Sequence, residues 1–333
     1  MSPSSDDHHT VFENRFSVPR AGWGRNLPVV PRRKGSRWDR AYNRGMSLLD
    51  VILLSIVQGF AELLPISSSA HVVVAEKLMG LDPSSPPMTL LLVMLHTGTM
   101  FAVIVYFWRR WRESFFQNAK TFRRFAWLVI VATILTAVVG GSLIKIIEGT
   151  ASQKVPHGEI EELFGRLELI APALAGAGIL ILISAFAERR KPEAATNADD
   201  LNTKAAGIIG IAQGFCLPFR GFSRSGATIS TGLLVGVGKS HAEDFSFALA
   251  VVLTPPVVVR EAMRLVRAEQ ISGITKLASA MMPSLVGAIC AFLAGLLALK
   301  WLSRWLESGR WYLFGIYCLI AAAAVAALHL LGY

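Results

Sequence analysis

Charged side chains are scarce in this chain: 17% of its 333 residues are Asp, Glu, Lys or Arg, against roughly 25% in soluble domains. With 53% of the residues hydrophobic, that shortage excludes an ordinary soluble domain and points to an integral membrane protein. Strictly alternating apolar and polar segments, which a membrane-spanning barrel needs, are also missing. The three cysteines, Cys216, Cys290 and Cys318, stand in apolar surroundings without CxxC spacing and read as small core residues rather than a disulfide framework or a zinc site. The polar first 46 residues have no apolar run after them within signal-peptide distance. They read as a disordered basic tail rather than a cleaved leader, and Met46 is an alternative start.

The net charge of +10 would suggest nucleic acid in a soluble protein. Here the Lys and Arg residues lie in the tail and in short loops beside apolar runs, where they set orientation, and no nucleic-acid partner is expected. The stretches Arg109 to Arg124, Arg189 to Lys204, Lys239, and Lys300 to Arg310 fall on one side of the membrane. Lys154, Arg166, Arg264 and Arg267 fall on the other, with the acids of the 148–168 loop. The richer side reads as cytoplasmic, which puts both termini outside, whereas the basic tail argues the reverse.

What the chain has in abundance is apolar runs near the ~20 residues that a helix needs to cross the hydrocarbon. They fall at about 90–108, 125–147, 169–187, 245–263, 277–299 and 311–331, giving an all-α fold of six crossings. Two further apolar regions, 47–80 and 205–238, are broken by Pro, Gly and Ser. The two regions share an order of features. "VQGFAELLPISSSA" (57–70) and "AQGFCLPFRGFSRSGA" (212–227) each run from an apolar lead-in through Gln-Gly-Phe and a proline to serines that open a second apolar stretch. Each precedes three crossings, an odd number. If each broken pair is re-entrant, the second half enters from the opposite face. The halves, about 47–190 and 204–333 within one domain of 47–333, then form an inverted-topology repeat whose broken helices place a site near the midplane.

Polar groups at membrane depth are costly and mark sites by default. Gln58 and Glu62, four residues apart, share one helix face and suit a common metal ion or proton donor. Pro65 ends that helix, and Ser67, Ser68 and Ser69 open the next, where hydroxyls cap and backbone N–H groups attract anions. His71, in the first turn, reads equally as a proton carrier or as a hydrogen-bonded core histidine. In the second broken region, Gly221 and Gly226 permit tight backbone. Ser223, Ser225 and Thr228 surround Arg224, whose planar fork fits phosphate oxygens. Together they suit a diphosphate. His96 and Thr97 inside the first crossing read as cavity lining or helix-joining polar residues rather than catalytic ones. Arg260 and Glu261 read as a mutual pair or as snorkelling to the interface.

The motifs "QGFAELLPISSSAH" and "GFSRSGATIS", with "DFSFALAV" downstream, resemble the bacterial undecaprenyl-diphosphate phosphatases associated with bacitracin resistance, over about 46–333. The resemblance implies a multi-pass hydrolase of the bacterial inner membrane that removes the terminal phosphate of undecaprenyl diphosphate, recycling the carrier lipid of cell-wall synthesis. It makes Glu62 the essential carboxylate, puts Gln58 where members have Glu or Gln, and gives functional positions to Ser68, His71, Ser223, Arg224 and Thr228. At the two helix starts, Ser67, Ser69, Ser225, Gly226 and Thr228 are expected to bind phosphate. The resemblance implies a divalent cation, Mg²⁺ or Ca²⁺, on Glu62 and Gln58, a polyprenyl diphosphate as substrate, and allows a homodimer. The chain departs from the family at Arg220, Ala70 and Arg260-Glu261. The competing expectation is a transporter or flippase of a phosphorylated lipid, since broken-helix repeats are common in carriers. The PSGH motif of the other class of membrane phosphatases is absent.

Overall fold

A computed structural model describes residues 47–81, 86–151, 167–190, 201–272 and 275–331. The N-terminal tail, Lys154, Arg166, Lys191 and the 152–166 part of the acidic loop lie outside these residues, as do the side chains of Arg264 and Arg267. Among the described residues there is no strand. The described residues form ten helices in order: α1 (Leu48–Leu63), α2 (Ser68–Met79), α3 (Pro86–Ser114), α4 (Ala119–Ala151), α5 (Leu167–Arg189), α6 (Thr203–Cys216), α7 (Arg224–Leu234), α8 (Lys239–Ser272), α9 (Thr275–Glu307) and α10 (Tyr312–Leu330). Six of them, α3, α4, α5, α8, α9 and α10, are long and apolar enough to cross a membrane. Each coincides with an expected crossing, and the longer ones overrun it at both ends because amphipathic turns such as Arg109–Glu113 continue the helix past the apolar run.

The polarity of these helices is inverted relative to a soluble protein. Ile134 on α4, Leu297 on α9 and Ile320 on α10 are 56, 61 and 65% exposed, while Ser184, Ser230 and Ser246 are buried. Apolar groups face outward because the surrounding solvent is lipid, and hydroxyls face inward where they find partners. The chain is a multi-pass membrane protein.

Short helices α1 and α6 are inserted among the long ones, each against a long helix of the other half: α1 packs on α9 and α6 on α4. The repeated Gln-Gly-Phe explains why. A Cβ on Gly59 would stand 2.6 Å from Ala294 Cβ and 2.9 Å from the Ala291 carbonyl of α9. A Cβ on Gly214 would stand 2.8 Å from the Thr136 carbonyl of α4. Only glycine permits backbones this close. α3 and α9 cross still more tightly, since a Cβ on Gly98 would meet the Ala288 carbonyl at 2.2 Å.

At one end of the bundle Arg110 of α3 contacts Glu243 and Asp244 of α8 at 3.0 and 3.1 Å. Ser303 of α9 donates to Glu243 at 2.5 Å and receives a bond from Tyr106 at 3.1 Å. Arg110, counted in the sequence among orientation-setting loop charges, is instead a helical residue that offsets buried carboxylates. Arg260 and Glu261 pair with each other at 3.2 Å. The three cysteines are free, with Cys216 and Cys318 buried.

Candidate active site

The first broken region is a helical hairpin. Ser47 starts α1 through a capping box, its hydroxyl accepting from the Asp50 N–H at 3.2 Å while its own N–H donates to the Asp50 carboxylate at 2.8 Å. The helix stops at Leu63 because Leu64, preceding Pro65, is held extended. Between Pro65 and α2 the backbone turns through Ser67 at φ 69°, the one non-glycine residue with positive φ among those described. A side-chain residue in that region is strained, and strain of this kind clusters at functional sites. The expected hydroxyl cap does not form: Ser67 makes no side-chain cap bond at the start of α2.

The hydroxyls serve the site instead. Ser68 Oγ donates to Glu62 Oε2 at 2.6 Å, and Gln58 Nε2 donates to the same oxygen at 3.2 Å. Ser69 Oγ lies 3.3 Å from Ser67 Oγ.

The second hairpin meets the first tip to tip. Gly221, at φ 103° and with the Ile170 carbonyl 2.6 Å from where a Cβ would stand, is a position for glycine alone. Its N–H donates to Ser69 Oγ at 3.3 Å. Ser225 Oγ donates to the Leu64 carbonyl at 3.4 Å. Arg224, the first residue of α7, reaches Glu62 Oε1 at 3.1 Å. Residues 162 positions apart thus form one site between the tips that start α2 and α7.

Not every expected residue joins this cleft. Ser223 caps α7, its hydroxyl accepting from the Gly226 N–H at 3.2 Å, and Gly226 gives α7 room against Ile181. Thr228 is fully buried, bonded to the Arg224 carbonyl at 2.9 Å and to Ser246 Oγ of α8 at 2.6 Å. It steadies α7 from behind. His71 spans the Ser67 carbonyl through Nδ1 and the Tyr317 hydroxyl through Nε2, both at 2.7 Å. A carbonyl only accepts, so Nδ1 carries the proton and the neutral ring accepts from Tyr317 at Nε2. Both ring nitrogens are engaged, Nδ1 by the hairpin tip and Nε2 by α10.

Two further residues stand at the site: Tyr317, which nothing local in the sequence marks, and His96, expected as cavity lining or as a helix-joining polar residue. Tyr317, stacked on His71 with ring centroids 5.7 Å apart, lies in an apolar crossing with no local motif. His96 of α3 has Nε2 3.7 Å from Glu62 Oε2 and shares with Glu62, Thr99, Arg224 and Thr254 the lining of the cleft. Its sequence signal was present, an ionisable residue inside a crossing, but spacing along one helix could not reveal its partner. Among the described residues no group of three or more His, Cys, Asp or Glu side chains converges as a ready metal cage. Glu62 and His96 are the pair available.

The fold and site define a class: a multi-pass α-helical membrane protein in which two helix tips, an arginine and a hydroxyl-bearing carboxylate close on one cleft. A sequence profile of the bacitracin resistance protein BacA family matches residues 51–324, and the chain belongs to that family. It is 55% identical over 289 residues to undecaprenyl-diphosphatase 2 of Acinetobacter baylyi, covering 86% of this chain and 99% of that protein. The undecaprenyl-diphosphatase of Rhodopirellula baltica is 32% identical over 288 residues, 85% of this chain and 98% of that protein. That of Parabacteroides distasonis is 30% identical over 291 residues, 86% of this chain and 100% of that protein.

Proposed function

We propose that the chain hydrolyses undecaprenyl diphosphate to undecaprenyl phosphate and inorganic phosphate in the bacterial inner membrane, returning the carrier lipid to cell-wall synthesis and so opposing bacitracin. The observation that carries the reading is the 3.1 Å contact of Arg224 with Glu62 across the two hairpin tips. It joins an arginine fork and a carboxylate in one cleft, and the likeness to undecaprenyl-diphosphatase 2 over 86% of the chain supports the reading.

In this reading Arg224 exchanges its carboxylate partner for the diphosphate oxygens, and the N-termini of α2 and α7 neutralise further charge. Glu62, released from the ion pair, takes the proton of the attacking hydroxyl. Ser68 is the serine whose geometry suits attack, since its proton already points at Glu62. A water on the same carboxylate is the other nucleophile. Either attack forms a new P–O bond at the terminal phosphorus and breaks the anhydride P–O bond, and lipid monophosphate leaves. Water attack yields inorganic phosphate directly. On the serine route a water then attacks the phosphoserine, breaks its ester P–O bond, releases inorganic phosphate and restores the Ser68 hydroxyl. His71, tied to Ser67 and Tyr317, holds the strained tip in place rather than carrying the proton. Ser67, Ser69 and Ser225 set the register of the tips; Ser223 and Thr228 hold α7.

The cation of the family fits a donor set of one carboxylate, Glu62, and one amide, Gln58, if substrate oxygens complete its shell, as they do at magnesium sites. Bound there it would neutralise diphosphate charge. We read the two halves as an inverted repeat with re-entrant hairpins, which the exchanged packing of α1 on α9 and α6 on α4 supports.

Purified protein should release phosphate from undecaprenyl diphosphate, and Glu62→Gln and Arg224→Ala should each lower the rate ~10²-fold or more in the fraction that remains folded, a loss typical of removing one group that stabilises transition-state charge. Saturable lipid binding without phosphate release would favour the carrier reading instead.

A further inference from the structure

His96 turns its Nε2 toward a carboxylate. Nδ1 lies 2.8 Å from the Leu92 carbonyl one turn back on α3. That oxygen can only accept, so the Nδ1 proton is committed to it, and when the ring is neutral its lone pair is on Nε2. Nε2 in turn lies 3.7 Å from Glu62 Oε2, too far for a direct hydrogen bond. Two electron-pair donors thus converge with a gap between them. Two ligands that each stand about 2.1 Å from one ion are separated by about 3 to 4 Å. Histidines that bind metals also donate the second ring N–H to a carbonyl or carboxylate, which fixes the tautomer and aims the ring.

On the hydrolase reading of this same cleft, we propose that His96 is an imidazole ligand of the divalent cation, paired with Glu62, and that it moves the preference of the site from Mg²⁺ and Ca²⁺ toward Mn²⁺, Co²⁺ or Zn²⁺. Oxygen-only sites suit the hard ions Mg²⁺ and Ca²⁺, whereas imidazole binds the later divalent ions more strongly. Arg224 contacts Oε1 and leaves the Oε2 side toward His96. Gln58 and Ser68, both on Oε2, would hold the carboxylate in orientation or turn an oxygen to the ion.

The test uses the tag-free full chain in detergent with Mn²⁺ as probe. Pulsed electron paramagnetic resonance of the bound Mn²⁺ should show nitrogen-14 modulation from one imidazole. The modulation should vanish in His96→Gln and persist in His71→Gln. Mn²⁺ affinity should fall about tenfold or more in His96→Gln, while Mg²⁺ affinity changes far less. Mn²⁺ bound to the wild type without nitrogen modulation, modulation that survives His96→Gln, or no stoichiometric Mn²⁺ binding would each overturn the assignment. Phosphate release by the wild type in Mg²⁺ separates the two readings. Hydrolysis without the nitrogen signal removes only the role of His96, and no hydrolysis in any cation removes the hydrolase reading as well.

Discussion

Arg224, Ser68, Gln58 and His96 all converge on the two oxygens of Glu62. Such convergence leaves the carboxylate desolvated but fully solicited, a state that a buried charge tolerates only with partners. At the same scale, His71 and Tyr317 form a brace behind Ser67. Tyr317→Phe removes one neutral hydrogen bond, a net contribution of about 1 kcal/mol. We expect a rate about fivefold lower with little change in melting temperature, read from phosphate release alongside a thermal scan. A loss as deep as that of Glu62→Gln would make Tyr317 part of the chemistry rather than a support.

Helices in this protein touch through missing side chains. Gly98 on Ala288, Gly59 on Ala291 and Ala294, and Gly214 on Thr136 are backbone-to-backbone crossings. Where helices already lie in lipid, close packing rather than hydrophobicity holds them together. Gly98→Val would force α3 from α9, an overpacking cost of ~1–3 kcal/mol or more, and since α3 carries His96, it should lower both detergent stability and turnover. Gly141, whose Cβ would meet nothing within 4 Å, is the control: Gly141→Ala should leave the melting temperature unchanged or slightly raised, through the better helix propensity of alanine. Equal behaviour of the two variants would remove the packing argument.

Across the whole molecule, the two halves are joined at the hairpin tips and again at the cluster of Arg110, Glu243, Asp244 and Ser303. Removing one partner of a buried pair leaves the others uncompensated, at roughly 3–5 kcal/mol. Arg110→Ala is therefore expected to unfold at markedly lower temperature, whereas the affinity for substrate in the surviving fraction stays near that of the wild type. The inverted repeat has its own test. Cysteines at Ser47 and Gly236, one at the open end of each hairpin, should label with a membrane-impermeant maleimide from opposite faces. Labelling of both from one face would leave six crossings intact and discard the inversion.

Apolar runs of the right length, the Pro65 break and the serine-rich openings of two helices were legible in order along the chain, because local propensity and the length of a crossing are properties of neighbouring residues. The same order marked Glu62 and Arg224 as site residues. Their meeting, the turning of Thr228 toward Ser246, the binding of His71 by Tyr317 and the arrival of His96 beside Glu62 depend on how helices far apart in sequence cross. That crossing is set by glycines such as Gly59 and Gly98, whose absent side chains say how close two backbones come but not which partner fills the space. Sequence by itself determined the kind of protein and most of the candidate site residues; the tertiary structure alone decided which of them face one another, because distance in space is set by packing between segments and not by spacing within one.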